Sequence, residues 1–167
     1  TLLEFRRVLF RSMHNGPDIQ AFRRLTAGDL LTINVLDTRQ YRTGTVCGAR
    51  VMAGCADALE PNRTMLGEAQ ERWLYESFQQ PLRWTLLAQQ IPIMRQDRNP
   101  DPAILGPSMD KWDGTVAARV RLLTAVEQSK LRNLVVVDGD VHLNCAGELW
   151  KNFDDDKSPS LGVDFMA

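Results

Sequence analysis

The sequence predicts an α/β fold, in which strands of a layered sheet alternate with helices. Short apolar segments with several β-branched residues lie at residues 30–36, 83–89 and 134–137. Segments with the period of an amphipathic helix lie between them, at residues 64–78 and 116–129. The length of 167 residues and the hydrophobic fraction of 44% allow one domain with its own core.

The first half of the chain is expected to hold a strand and then a helix. A turn signal at residues 27–29 precedes the strand, which ends at Asp37. Residues 43–63 contain several glycines and small residues, which predicts a long irregular connection. Thr64 is expected to cap the first helix. The buried stripe of that helix is predicted to comprise Leu66, Ala69, Trp73 and Phe78.

The second half is expected to repeat this order. A strand at residues 83–89 leads into a loop over residues 92–107, which contains four prolines. Asp113 precedes the second helix, which is predicted to place Arg119 and Arg121 near one side. The other side is predicted to carry the apolar stripe of Val116, Val120, Leu123 and Val126. The third strand follows at residue 134, and the apolar residues 161–167 read as a further strand.

Composition excludes some classes of protein. The net charge is −1 and the basic residues are dispersed, so no nucleic-acid-binding surface is evident. No run of about eighteen apolar residues exists to span a membrane. Residues 1–12 resemble translated adapter sequence, arginines interrupt any signal-peptide core there, and residues 13–167 are taken as the domain. His14 is interpreted as a loop residue.

The three cysteines are too few and too widely spaced for a zinc motif or a disulfide framework. Cys47 and Cys55 could form a disulfide, and the sequence leaves their pairing open. Cys145 is interpreted as a small buried residue rather than as a nucleophile, because no orienting histidine can be assigned to it.

Three polar side chains follow the third strand. If the chain stays extended, Asp140, His142 and Asn144 share one face, because alternate side chains of a strand point the same way. A carboxylate, an imidazole and an amide oxygen are ligands for divalent or trivalent cations. The alternative is a polar turn that leads into an edge strand, and the spacing alone does not decide between them.

Polar groups also follow the other two predicted strands, at residues 37–40 and 89–90, and such strand ends form one crevice in open α/β sheets. The sequences LDTRQYR at 36–42, RTMLG at 63–67 and QERWL at 70–74 resemble the PhoD-type alkaline phosphatase/phosphodiesterase family. The resemblance continues through DKWDG at 110–114 and GDVH at 139–142. It extends from about residue 22 to residue 167.

The resemblance implies a calcineurin-like metallophosphoesterase sandwich with α-β-β-α layers and a centre that contains Fe³⁺ and Ca²⁺. The substrates would be phosphate mono- and diesters, hydrolysed by a metal-activated water. Asp140 would be a metal ligand, with His142 and Asn144 beside it, and His142 would also be catalytic. Secretion or export to the periplasm is implied as well.

Arg39 could bind the phosphate oxygens through its guanidinium group, or it could form an ion pair with Asp37 or a loop carboxylate. The resemblance places Asp110, Trp112 and Asp113 at the substrate rim. Helix capping by Asp113 and core packing by Trp112 are the alternatives.

The sequence departs from the family pattern at Thr115, where an aromatic residue is usual. The family's earlier metal-ligand motifs are not in this sequence. We therefore expect the C-terminal part of a catalytic domain that is inactive or poorly folded in isolation. The competing hypothesis is a non-catalytic α/β interaction module, and the oligomeric state is unknown.

Overall fold

The protein is described by a computed structural model over residues 20–167, which form a six-stranded mixed sheet with two helices. Residues 1–12 and His14 lie outside the described residues, so their interpretation stays a prediction. The strands are β1 (Arg23–Ala27), β2 (Leu31–Val35), β3 (Trp84–Ala88), β4 (Leu134–Asp138), β5 (Cys145–Trp150) and β6 (Ser160–Met166). The helices are α1 (Glu68–Ser77) and α2 (Val116–Gln128). Short 3₁₀ turns occupy Cys47–Ala49, Ala56–Leu59 and Trp112–Thr115. The predicted α/β class is confirmed.

The strand order across the sheet is β1-β2-β3-β4-β6-β5. The four inner strands are parallel, and the two edge strands β1 and β5 are antiparallel to their neighbours. The turn at residues 27–29 therefore joins a hairpin, in which Leu30 N–H donates to the Ala27 carbonyl at 3.2 Å and Gly28 adopts a φ of 58°. Edge strand β1 was not predicted, because the sequence analysis placed this turn before the first strand. Edge strand β5 is the edge strand of the alternative interpretation of residues 140–144.

Both helices pack on one face of the sheet. Leu74 and Phe78 at the α1 end, and Leu122 and Val126 of α2, join a single buried core with Leu87 and Val136 of the sheet. The predicted stripes are only partly correct, since Ala69 and Val120 are exposed whereas Gln70 and Arg119 are buried. The predicted position of Arg119 on the outer side of α2 is wrong, because its guanidinium group pairs with a carboxylate inside the protein.

The opposite face of the sheet is also apolar. Its rows, set by the strand register, include Ile33, Leu86, Val135 and Val163, with Trp84 and Phe165 among the most exposed large side chains. Parallel sheets normally carry covering layers on both faces. Within residues 20–167 this face is half-buried to exposed.

The two helices begin differently from the prediction. Gly67, with a φ of 74°, is the N-cap of α1, and Thr64 acts further upstream: its Oγ1 accepts the Gly67 N–H at 2.8 Å and donates to Glu71 at 2.6 Å. Asp113 does not cap α2, whose N-cap is Thr115, and the Thr115 side chain makes no capping hydrogen bond to the helix. None of the helices in the described range is long and apolar enough to cross a membrane.

Cys47 and Cys55 form a disulfide, which resolves the pairing that the sequence left open. Cys145 is an exposed free thiol, so its interpretation as a buried residue is wrong. The reason is its place at the start of the edge strand β5, where its Sγ lies 3.1 Å from the Gln96 amide nitrogen near the surface.

Candidate active site at the carboxyl edge of the sheet

The ends of β2, β3 and β4 meet at one edge of the sheet, as the parallel order requires. The loop after β2 is fixed there by side chains from neighbouring segments. The Gln70 amide oxygen accepts the Asp37 N–H at 2.8 Å, and the Gln90 amide oxygen accepts the Thr38 N–H at 2.7 Å. The Asp37 carboxylate accepts the Arg39 N–H at 2.8 Å. Asp37 therefore shapes the loop that presents Arg39 rather than pairing with its guanidinium group.

A cluster of charged side chains occupies this edge. Arg39 spans two carboxylates, with Nη1 at 3.3 Å from Asp110 Oδ2 and Nη2 at 3.2 Å from Asp140 Oδ2. Arg42 Nη1 lies 2.8 Å from the other Asp110 oxygen, and Lys111 Nζ pairs with Asp140. We call these five residues the ion cluster. It brings together three cations and two carboxylates, so its formal charge is +1.

The ion cluster controls the ionisation of Asp140. A hydrogen bond from Lys111 lowers the pKa of Asp140 below its ordinary value, and the nearby charges of Lys111, Arg39 and His142 lower it further against partial desolvation. Lys111 is buried, whereas the Asp140 side chain is 42% exposed. Asp140 is thus an ionised carboxylate that faces solvent beside a buried ammonium group.

The backbone after β4 turns instead of staying extended. Asp140 and His142 have φ values of 72° and 59°, in the left-handed region that non-glycine residues seldom adopt. The prediction that Asp140, His142 and Asn144 share a strand face is therefore wrong, because the strand ends at Asp138. The alternative, a polar turn that leads into an edge strand, is confirmed, since β5 begins at Cys145. The turn directs Asp140 to Lys111, while His142 and Asn144 are exposed next to it.

The three residues predicted at the substrate rim separate into two environments. Asp110 belongs to the ion cluster. Trp112 is 1% exposed and its indole Nε1 donates to Gln89 at 3.0 Å, while Asp113 is buried and lies 2.6 Å from Arg119. Trp112 and Asp113 therefore lie in the interior of this chain, because the 3₁₀ turn Trp112–Thr115 directs them into the core.

Two cluster residues were missed from the sequence, although both lie inside the motifs that carried the resemblance. Arg42 also donates to the Asp110 carbonyl at 3.2 Å, and Lys111 is one of the buried charged residues. The available signal was a cation close to a candidate residue in sequence: Lys111 follows Asp110 directly, and Arg42 lies three positions after Arg39. Their partners lie 68 and 29 residues away, which no local pattern reveals.

Two carboxyl groups lie on neighbouring strands: the half-buried Asp138 at the end of β4 and the buried Asp164 of β6. Burial, together with a hydrogen bond to Asp164, raises the pKa of Asp138 to about 9. Asp164 Oδ2 accepts the backbone N–H groups of Ile93 and Met94 at 2.9 Å each. Asp138 therefore keeps its proton near neutral pH, immediately before the turn that carries Asp140.

The donor chemistry fits part of a metal site. The exposed Asp140 carboxylate suits a hard cation, and the nearby His142 imidazole and Asn144 amide oxygen are further ligand groups for a metal ion. Residues 20–167 contain no group of three or more His, Cys, Asp or Glu side chains arranged to hold a metal ion. These residues fit a metal as contributors to a larger ligand set.

Comparison with known proteins decides the family. The family model described as "PhoD-like phosphatase" matches residues 8–167. The chain belongs to this family. Alkaline phosphatase D of Bacillus subtilis (strain 168) is 37% identical over 157 residues, which cover 93% of the chain and 27% of the relative. The solved structure titled "Structure of PhoD" superposes with a TM-score of 0.87 at 37% identity and covers 95% of the chain.

The predicted family and α/β class are therefore confirmed. The chain spans 30% of that solved PhoD chain, so it is less than a third of the length of either relative. The family match begins at residue 8, within the segment interpreted as adapter sequence, and the boundary at residue 13 stays a prediction.

Proposed function

We propose that residues 13–167 are the C-terminal portion of the catalytic domain of an exported PhoD-like phosphatase. The whole protein would be an alkaline phosphatase/phosphodiesterase that hydrolyses phosphate mono- and diesters. The observation that carries the proposal is the convergence of Arg39, Arg42 and Lys111 on two carboxylates at the carboxyl edge of the sheet. The ion cluster is net positive, which suits a phosphate anion, and it includes the exposed Asp140 carboxylate, which suits a metal cation.

Arg39 is the proposed phosphate-binding group. A guanidinium group has five N–H donors, and the ion pairs of Arg39 with Asp110 and Asp140 leave donors free for phosphate oxygens. Its side chain is 36% exposed, so a ligand can reach it. Asp110 holds Arg39 and Arg42 side by side, which orients both cations before the substrate binds.

Asp140 is the proposed metal ligand, with His142 and Asn144 completing this side of the centre. Fe³⁺ and Ca²⁺ are the proposed metals, by family resemblance. When bound, such a centre polarises phosphoryl oxygens and supplies a hydroxide nucleophile near neutral pH. Lys111 keeps Asp140 ionised, which is the state that binds a cation. His142 is exposed beside it and can also pass a proton to the leaving alcohol.

The test uses the longest reading frame that contains this chain. Hydrolysis of p-nitrophenyl phosphate and bis(p-nitrophenyl) phosphate is measured before and after chelation, and bound metal is quantified. Asp140→Asn is expected to lower kcat/KM by at least about a hundredfold. The matched control is Glu68→Gln, which alters an exposed carboxylate on α1. Full activity of Asp140→Asn, or activity that survives chelation, would overturn the proposal.

The isolated 167-residue chain is expected to be inactive, because its sheet leaves one apolar face half-buried and its described residues hold an incomplete ligand set. Chelator-sensitive hydrolysis by this chain alone would contradict that expectation. If the longest reading frame binds no stoichiometric metal and hydrolyses neither ester, the non-catalytic interaction module becomes the better interpretation.

A further inference from the structure

The Cys47–Cys55 disulfide closes a loop that pairs with the segment before Asp110. Val51 forms an antiparallel bridge with Ser108. On either side of the bridge, Met52 N–H donates to the Pro107 carbonyl and Met109 N–H donates to the Arg50 carbonyl, each at 3.0 Å. The backbone around Val51 is therefore paired with residues 107–109 and holds them in place.

The segment 107–109 leads directly into the ion cluster. Lys111 N–H donates to the Ser108 carbonyl at 3.1 Å, and Gly114 N–H donates to the Lys111 carbonyl at 2.9 Å. A Cβ atom on Gly114 would lie 2.0 Å from the Met109 carbonyl oxygen, so the backbone turns tightly there. Asp110 and Lys111 can therefore shift little unless Met109 moves.

Little else in the described residues fixes this loop. The buried cluster beneath it consists of Val46, Cys55, Ala58 and Met109, and it is separate from the main core. A cavity of about 350 Å³ opens beside it, lined by Met52, Leu59, Leu105 and Pro107 among others. Leu59 and Leu105 are themselves largely exposed. Because few buried side chains pack against this loop, the Cys47–Cys55 disulfide contributes much of what holds the loop against residues 107–109.

We propose that the Cys47–Cys55 disulfide is a positioning element for the ion cluster, and that reducing it weakens phosphate binding by releasing Asp110 and Lys111. Reduction by a dithiol such as dithiothreitol transfers two electrons and two protons to the bridge. It yields two cysteine thiols and leaves the reagent as a cyclic disulfide. The loop then loses its closure, and with it the backbone pairs to residues 107 and 109. The consequence for activity rests on the proposed function, whereas the consequence for the backbone does not.

The activity experiment compares the oxidised protein, the reduced protein and the Cys47→Ser/Cys55→Ser variant of the longest reading frame. Both treatments are expected to raise KM about tenfold, the effect of losing one charge-assisted hydrogen bond to phosphate, with a smaller change in kcat. Reoxidation should restore KM in the parent protein and not in the serine variant. Cys145→Ser serves as the control for the exposed thiol and should keep the full redox response.

A second variant tests the route through the cluster. In an Asp110→Asn background, reduction should raise KM less than about twofold further, because the contact it disturbs is already lost. An equal fold-change in both backgrounds would show that the disulfide acts elsewhere. An unchanged KM after reduction confirmed by mass spectrometry would also overturn the proposal.

Hydrogen exchange provides a measurement that does not need catalysis. Reduction should speed exchange of the Met109 and Lys111 amides at least about tenfold and leave the amides of β4 unchanged. If the oxidised protein shows no phosphatase activity, the proposed function fails while this measurement still judges the positioning role. Unchanged exchange at Met109 would refute that role whatever the activity.

Discussion

The buried ion pair of Asp113 and Arg119 is predicted to stabilise the fold rather than to bind substrate. Both side chains are almost fully buried, and Arg119 Nη1 lies 2.6 Å from Asp113 Oδ1. The Arg119 guanidinium group also lies 4.6 Å from the centre of the Phe153 ring and 3.4 Å from the Ile93 carbonyl. Burial lowers the pKa of Arg119, and the charge of Asp113 opposes that change. Asp113→Asn keeps the shape of the side chain and removes this compensation.

The expected cost follows from what remains around the guanidinium group. Removing one partner of a buried ion pair typically costs about 3–5 kcal/mol. The Phe153 ring and the Ile93 carbonyl keep part of the stabilisation, so we expect the lower end of this range, about 3 kcal/mol. Combining Asp113→Asn with Arg119→Met should recover most of the loss, because an apolar side chain of similar size leaves no buried charge unpaired.

Urea unfolding of the longest reading frame measures these differences, provided that the m-value stays constant. The control is Glu68→Gln, which breaks the exposed pair with Arg72 and should change the free energy of unfolding by less than about 0.5 kcal/mol. A loss below about 1 kcal/mol for Asp113→Asn, or no recovery in the double variant, would refute the reasoning. Activity per folded molecule should persist in Asp113→Asn, whereas a residue at the substrate rim would lose it.

Three further outcomes are expected. Tyr75→Phe should stabilise the protein by about 1 kcal/mol in thermal unfolding, because the buried Tyr75 hydroxyl has no hydrogen-bond partner among residues 20–167 and burial raises its pKa above the usual range. Gly114→Ala should lower the free energy of unfolding by about 3 kcal/mol and reduce the yield of folded protein, because its Cβ would collide with the Met109 carbonyl. With a chelator present, the free energy of unfolding should fall as the pH rises from the pKa of Asp138 in the unfolded state towards about 9, because Asp138 keeps its proton in the folded state. The midpoint of urea unfolding, measured at several pH values, should show this decrease in the parent protein and not in Asp138→Asn.

The sequence identified the elements whose burial creates a regular pattern. Strands β2, β3 and β4 are largely apolar, and each was predicted within one or two residues. Edge strand β1 was missed, and β5 was expected only as an alternative without bounds, because RRLTA and CAGELW contain charged and small residues, which edge positions tolerate. The hydrophobic pattern therefore predicted the centre of the sheet and not its borders.

The geometry of the candidate site was less accessible. Arg39 joins carboxylates that lie 71 and 101 residues further along the chain, so only the assembled sheet reveals the ion cluster. The left-handed backbone at Asp140 and His142 is equally invisible, because neither residue is a glycine that would signal it. The sequence found the strand ends and most of the polar residues there, but not which of them meet.

Residues 110–114 show why a matching motif does not by itself assign roles. Asp110 and Lys111 face the ion cluster, whereas the next two residues, Trp112 and Asp113, face the core through Gln89 and Arg119. The 3₁₀ turn changes the direction of the side chains within two positions, so adjacent residues serve binding and folding separately. Substitutions in one short segment should therefore separate into two classes: those before Trp112 should act on KM, and those from Trp112 onwards should act on the free energy of unfolding.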